Sequence, residues 1–127
     1  MGRKRILLVD DSETVLRAEE LILRHEDVEL LTACDGEEAV LTAETEQPDL
    51  ILMDLVMPRM NGLAACRKLR EQDATEFVPV IMVTSKGEPQ LVEAAYAAGC
   101  NDYITKPING PELIAKVRNL LRNNHAE

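Results

Sequence analysis

LILMDLVMPRMNG, Leu50 to Gly62, is the stretch that decides how the chain folds. Leu50, Ile51, Leu52 and Met53 form a run too short for a helix and too uniformly apolar for a half-wet strand, which predicts a strand buried on both faces. Asp54 ends it. Pro58 has no backbone N–H and pushes Met57 toward extended backbone, so the strand stops, and Asn61-Gly62 turns the chain into a helix. Asp54 then stands at the carboxyl end of a central strand, the edge where open parallel sheets collect ligands. A lone acid there reads first as merely a strand-ending polar residue, so its company has to decide.

Working outward, four more apolar runs alternate with helical patterns. Arg5 to Val9 (RILLV) ends in Asp10-Asp11-Ser12, where Asp11 or Ser12 caps the next helix. From Glu13 to about His25, Val15, Ala18, Leu21 and Ile22 recur at helical spacing and predict the buried stripe, with Glu13, Arg17, Glu19, Glu20 and Arg24 on the wet side. Val28 to Cys34 is a mixed strand, and Asp35-Gly36 turns into a helix holding Ala39, Val40 and Ala43. Beyond Gly62, Leu63, Cys66 and Leu69 mark one helix face, opposite Arg67, Lys68, Arg70 and Glu71. Pro79 to Val83 is a strand ending at Thr84-Ser85. Leu91, Ala94, Ala95 and Ala98 form a stripe that Gly99 closes in a left-handed conformation. Asn101 to Ile104 is the fifth strand, followed by Thr105-Lys106-Pro107 and a helix opening at Asn109-Gly110-Pro111-Glu112 that carries Leu113, Ile114, Val117, Leu120 and Leu121. The NNHAE tail is polar and expected to fray. Five alternations with short connections predict an α/β fold, a doubly wound parallel sheet with helices on both faces. In such a fold Asp10, Asp11, Asp54, Thr84 and Lys106 all reach one edge.

The chain has 127 residues, the length of one domain. Fourteen basic against twenty-three acidic residues leave a net charge of −9, which repels phosphate backbones and offers no basic stripe for nucleic acid or anionic lipid. With two Tyr, one Phe and no Trp, the core has to be aliphatic. Cys34, Cys66 and Cys100 are odd in number and lack a C-x-x-C pair, so buried, reduced thiols are expected. The apolar run near the N-terminus is too short for a secretory signal or a membrane span, and a cytoplasmic protein is the expectation. His25, near a helix C-terminus, reads as a mildly stabilised cation rather than as a phosphoacceptor.

Three carboxylates gathered in one place repel one another by roughly 4 kcal/mol per pair at about 4 Å and an effective dielectric of about 20. Such a cluster takes up protons or recruits a cation, and a hard divalent ion that prefers oxygen ligands and keeps some waters, Mg²⁺ above all, suits it. Lys106 brings the total charge close to neutral. Mg²⁺ and Lys106 then stabilise phosphoryl oxygens while the Asp54 carboxylate attacks phosphorus to give an aspartyl phosphate, with Thr84 donating a hydrogen bond.

Over essentially its whole length the chain resembles the receiver domains of two-component response regulators, a flavodoxin-like family, on VDDS at the end of the first strand, LILMDLVMPRMNG around Asp54, VTS at Thr84 and GCNDYITKPI around Lys106. The resemblance implies a single receiver domain over 1–127 that takes a phosphoryl group from a histidine kinase's phosphohistidine onto Asp54. It implies Mg²⁺ held by Asp11, Asp54 and the backbone carbonyl of Val56, with Asp10 helping largely through water. It further implies a cis Lys106-Pro107 bond and a switch made by Thr84 and Tyr103. That switch remodels the face of helix four, strand five and helix five and so controls a downstream protein partner. No direct nucleic-acid or membrane partner is expected, and the molecule is expected to be a monomer or a weak dimer.

Each residue has a plainer reading: Asp10 and Asp11 as helix caps, Thr84 as a strand-end hydroxyl, Lys106 as a solvated lysine, Tyr103 as a half-buried strand aromatic. Their joint arrangement favours the phosphoacceptor. With about sixteen residues after Pro111, a stand-alone switch that is not an enzyme is expected. The alternative is the receiver part of a longer regulator or phosphorelay. A phosphohydrolase of the haloacid dehalogenase type would want a second aspartate two residues after the nucleophile, where Val56 stands. Val56 cannot hold an attacking water and Lys86 would shield the phosphoryl group, so slow self-dephosphorylation is expected.

Overall fold

The computed structural model describes residues 2–85 and 88–123. Its elements, in chain order, are β1 (Lys4–Val9), α1 (Glu13–Leu23), β2 (Val28–Ala33), α2 (Gly36–Glu46), β3 (Leu50–Asp54), α3 (Gly62–Arg70), β4 (Val80–Thr84), α4 (Pro89–Ala97), β5 (Asp102–Thr105) and α5 (Gly110–Asn123). Each strand ends within a residue of its expected span. The five strands form one sheet in the order β2-β1-β3-β4-β5, every neighbouring pair parallel.

Because side chains alternate across a strand, the three central strands feed two cores. Ile6, Leu8, Leu50, Leu52, Ile81 and Val83 face Leu23 of α1 and Leu113 and Val117 of α5. Leu7, Val9, Ile51, Met53, Val80 and Met82 face α2, α3 and α4 through Ala39, Ala43, Ala65, Leu69 and Ala95. All five residues of β3 and of β4 are buried, as a strand covered on both faces requires. Ser12 caps α1 as expected, and Asp35, Asn61 and Asn109, expected as turn or helix-start residues, likewise each accept a backbone N–H of the following helix. Gly99 closes the turn after α4 at φ 109°.

On α1 and at Cys34 the outcome differs from expectation. On α1 the buried residues are Glu19 and Leu23, with Val15, Leu16 and Ile22 half-buried, whereas Ala18 is exposed and Leu21 is 59% exposed. Apolar residues at 15, 16, 18, 21, 22 and 23 admit more than one stripe, and the seat of the helix on β1 and α5 selects the one that carries Glu19 inward. Cys34 is exposed, just past the end of β2, with its Sγ 3.0 Å from Glu38 Oε1; Cys66 and Cys100 are buried and free. The expectations for Lys86 and for the tail beyond Asn123 lie outside the described residues.

Candidate functional site

β1 and β3 lie side by side, Val9 level with Met53, so the residues that follow them reach the same edge together. Asp10 continues the β1–β2 ladder by donating its N–H to Ala33 (3.2 Å) and is 1% exposed. Asp54 is the last residue of β3, and Gly62 makes room for its backbone: a Cβ at Gly62 would stand 2.5 Å from the Asp54 carbonyl oxygen. The carboxylates of Asp10, Asp11 and Asp54 each present an oxygen within 4.8 Å of the others. Asp10 and Asp54 are buried, and Asp11 opens the group to solvent.

Lys106 arrives from the end of β5. Its N–H donates to the Thr84 carbonyl (2.8 Å), carrying the β4–β5 ladder one step further and fixing the root of its side chain. The ammonium lies 3.2 Å from Asp10 Oδ2 and 3.3 Å from Asp54 Oδ1. Asp10 also accepts the Ser12 N–H through Oδ1 (2.9 Å), so both of its oxygens are engaged. The Lys106-Pro107 bond is cis. Thr84 is buried on the neighbouring strand end.

The electrostatics match this crowding. Burial, then repulsion from Asp10, raises the Asp54 carboxyl above its ordinary range, and Lys106 opposes both. Burial alone would lower the Lys106 ammonium, but Asp54 and Asp10 more than offset it and the net shift is upward. Glu19 is a fourth acid near the group: burial above all, then Asp10, pushes it up to about 8, and its Oε1 has no hydrogen-bond partner among the described residues. Three acids and one ammonium converge as expected, whereas Glu19, which the helical pattern puts on the wet face, joins them from α1.

Tyr103 is half-buried on β5, level with Met82, and so shares the α4 side of the sheet with Thr84. Its ring meets Tyr96 of α4 edge-on, centroids 6.1 Å apart, and the Lys116 ammonium lies 5.4 Å from the ring centre. Lys116 also donates to the Tyr103 carbonyl (2.7 Å) and to Asp102. Val56, two residues past Asp54, is 71% exposed.

Two further groups escaped the sequence reading. Asp35, expected only as part of a turn, is buried and binds Arg59 Nε at 2.9 Å; the Glu38 N–H, then Arg59, hold its carboxyl below the usual range. Arg70, expected on a wet face, turns inward and donates to the carbonyls of Gly99, Thr75, Glu76 and Val78. An Asp followed by a helix is a capping signal that points to Asp35 at sequence level; nothing local marks Arg70.

Residues 6–118 match the response regulator receiver domain model. The chain is 38% identical over 121 residues to the alkaline phosphatase synthesis transcriptional regulatory protein PhoP of Bacillus subtilis, covering 95% of this chain and 50% of that one. It is 39% identical over 125 residues to the DNA-binding response regulator MtrA of Mycobacterium tuberculosis, covering 98% and 54%. The chain thus spans about half the length of these curated relatives. Among solved structures, the receiver domain of sensor histidine kinase PA1611 from Pseudomonas aeruginosa, with magnesium coordinated in its active-site cleft, superposes with a TM-score of 0.88 at 32% identity, covering 97% of this chain and all of that one. A putative response regulator from Chloroflexus aurantiacus gives 0.91 at 33% identity, with coverage of 97% and 100%.

Proposed function

The chain belongs to the response regulator receiver domain family of two-component systems, and from that premise we propose that residues 1–127 form one phosphoacceptor switch in which Asp54 is the nucleophile. The observation that carries this reading is the Lys106 ammonium set within 3.3 Å of both Asp10 and Asp54 at the carboxyl edge of the sheet. In the transfer, an Asp54 oxygen attacks the phosphorus of a histidine kinase's phosphohistidine. The P–N bond breaks as the P–O bond forms, and the imidazole leaves with the electron pair and takes a proton. Lys106 balances the charge on the phosphoryl oxygens, and the Thr84 hydroxyl donates to the product.

A cluster of three carboxylates, two buried and one at the solvent edge, has the donor chemistry of a hard cation that keeps part of its water shell. Asp11, Asp54 and the Val56 carbonyl would hold Mg²⁺ directly and Asp10 largely through water. When bound, the ion offsets the acids' repulsion and draws charge from the phosphoryl oxygens.

Phosphorylation then biases Thr84 and Tyr103, and with them the face formed by α4, β5 and α5, toward a state that a downstream protein partner reads. We place the domain in the cytoplasm as a monomer or weak dimer; no helix among the described residues is long and apolar enough to cross a membrane. Its net charge of −9 argues against direct nucleic-acid contact by these residues.

The test is to incubate the protein with Mg²⁺ and a small-molecule phosphodonor and follow intact mass. The wild type should gain one labile phosphoryl group and Asp54→Ala none. A gain in Asp54→Ala, or none in the wild type, defeats the reading.

A further inference from the structure

The loop between Asp54 and α3 is anchored firmly at its two ends. Leu55 donates to the Val83 carbonyl (2.8 Å), Gly62 donates to Leu55 (2.8 Å), and Asn61 caps α3. Between those points Val56, Pro58 and Arg59 are exposed. The loop's far bend touches the body of the protein at the start of α2. There Arg59 Nε donates to Asp35 Oδ2 (2.9 Å) and the Gly36 N–H donates to the Met60 carbonyl (3.1 Å). The approach is close enough that a Cβ on Gly36 would fall 2.1 Å from that carbonyl oxygen. Arg59 makes its contact from φ 64°, a left-handed conformation that a non-glycine residue resists. Asp35 is itself immobilised, buried and capping α2 through its other oxygen (2.8 Å from Glu38 N).

We propose that the Arg59–Asp35 ion pair is a positioning contact for the phosphoacceptor loop, holding the Val56 backbone in register with Asp54 so that the cluster takes its cation. Arg59 and Asp35 do not touch the reacting atoms; they act through the loop. The inference rests on the cation reading given under Proposed function.

Three measurements on Arg59→Gly and Arg59→Lys test it: Mg²⁺ affinity by calorimetry, amide exchange at Met57 and Met60 in metal-free protein, and the urea midpoint. Glycine adopts the left-handed conformation freely, so Arg59→Gly should keep the wild-type midpoint. It should nevertheless weaken Mg²⁺ binding about tenfold and speed loop exchange about tenfold. Arg59→Lys, which keeps a donor toward Asp35, should recover most of both. Unchanged affinity and exchange in Arg59→Gly overturns the proposal, as does an affinity loss matched by a fallen midpoint. A wild type that binds no Mg²⁺ overturns the cation reading and that half of the proposal with it. The metal-free exchange then separates the two failures.

Discussion

The Lys106 ammonium lies 3.3 Å from Oδ1 of Asp54, the ion pair by which, among the described residues, positive charge reaches the proposed nucleophile. Replacing it with methionine keeps the bulk and removes the charge. Lys106→Met should slow phosphorylation of Asp54 by a small-molecule donor roughly 10²-fold or more, the scale of a lost charge-stabilising donor. Equal initial rates in the two proteins, measured at saturating Mg²⁺, would show that the lysine is ornamental to the chemistry.

Glu19 sets a pH dependence. Its folded carboxyl is pushed up to about 8 from an ordinary 4.5, so between those values the folded state holds a proton that the unfolded state has lost. Stability from this group is complete below pH 4.5 and falls as pH rises through the window to about 8, at up to about 1.4 kcal/mol per pH unit. Glu19→Gln cannot ionise. Urea unfolding in chelator should show the variant close to wild type at pH 5 and more stable by a few kcal/mol at pH 8.5; parallel pH curves would contradict the burial argument.

Val56 offers only an exposed isopropyl group beside the proposed acceptor Asp54, and a hydrocarbon cannot orient an attacking water. Val56→Asn supplies an amide that can. Loss of phosphate from the loaded variant should quicken roughly tenfold or more, followed by intact mass after removing the donor. An unchanged decay would mean that water is positioned elsewhere.

Arg70 gathers carbonyls from the loop after α3 and from Gly99, joining the α3–β4 and α4–β5 connections. Arg70→Ala leaves those acceptors without a charged donor and should cost about 2 kcal/mol in urea unfolding. Arg70→Lys should recover little, because one ammonium cannot span the fork that the guanidinium covers. Full recovery by lysine would reduce the residue's part to simple charge.

Much of the site was legible in the chain because its residues sit where local pattern changes. Asp10, Asp54, Thr84 and Lys106 each stand where an apolar run stops, and the rule that parallel strands share a carboxyl edge brings them together. Glu19 was misplaced for the opposite reason: a charged residue inside a helical pattern reads as wet, and its proximity to Asp10 and Lys106 is long-range. The inward turn of Arg70 likewise depends on neighbours distant in the chain, Gly99 and Asn101.

The sequence by itself determined the strand and helix order, the buried character of β3 and β4, and which residues end each strand, since periodicity and turn chemistry act over a few neighbouring positions. The tertiary structure alone decided which stripe of α1 faces the sheet, that Arg59 reaches back to Asp35, and how closely Lys106 approaches two acids at once. Those outcomes follow from how helices seat on a twisted sheet and from desolvation at each contact, and both depend on distances through space rather than along the chain.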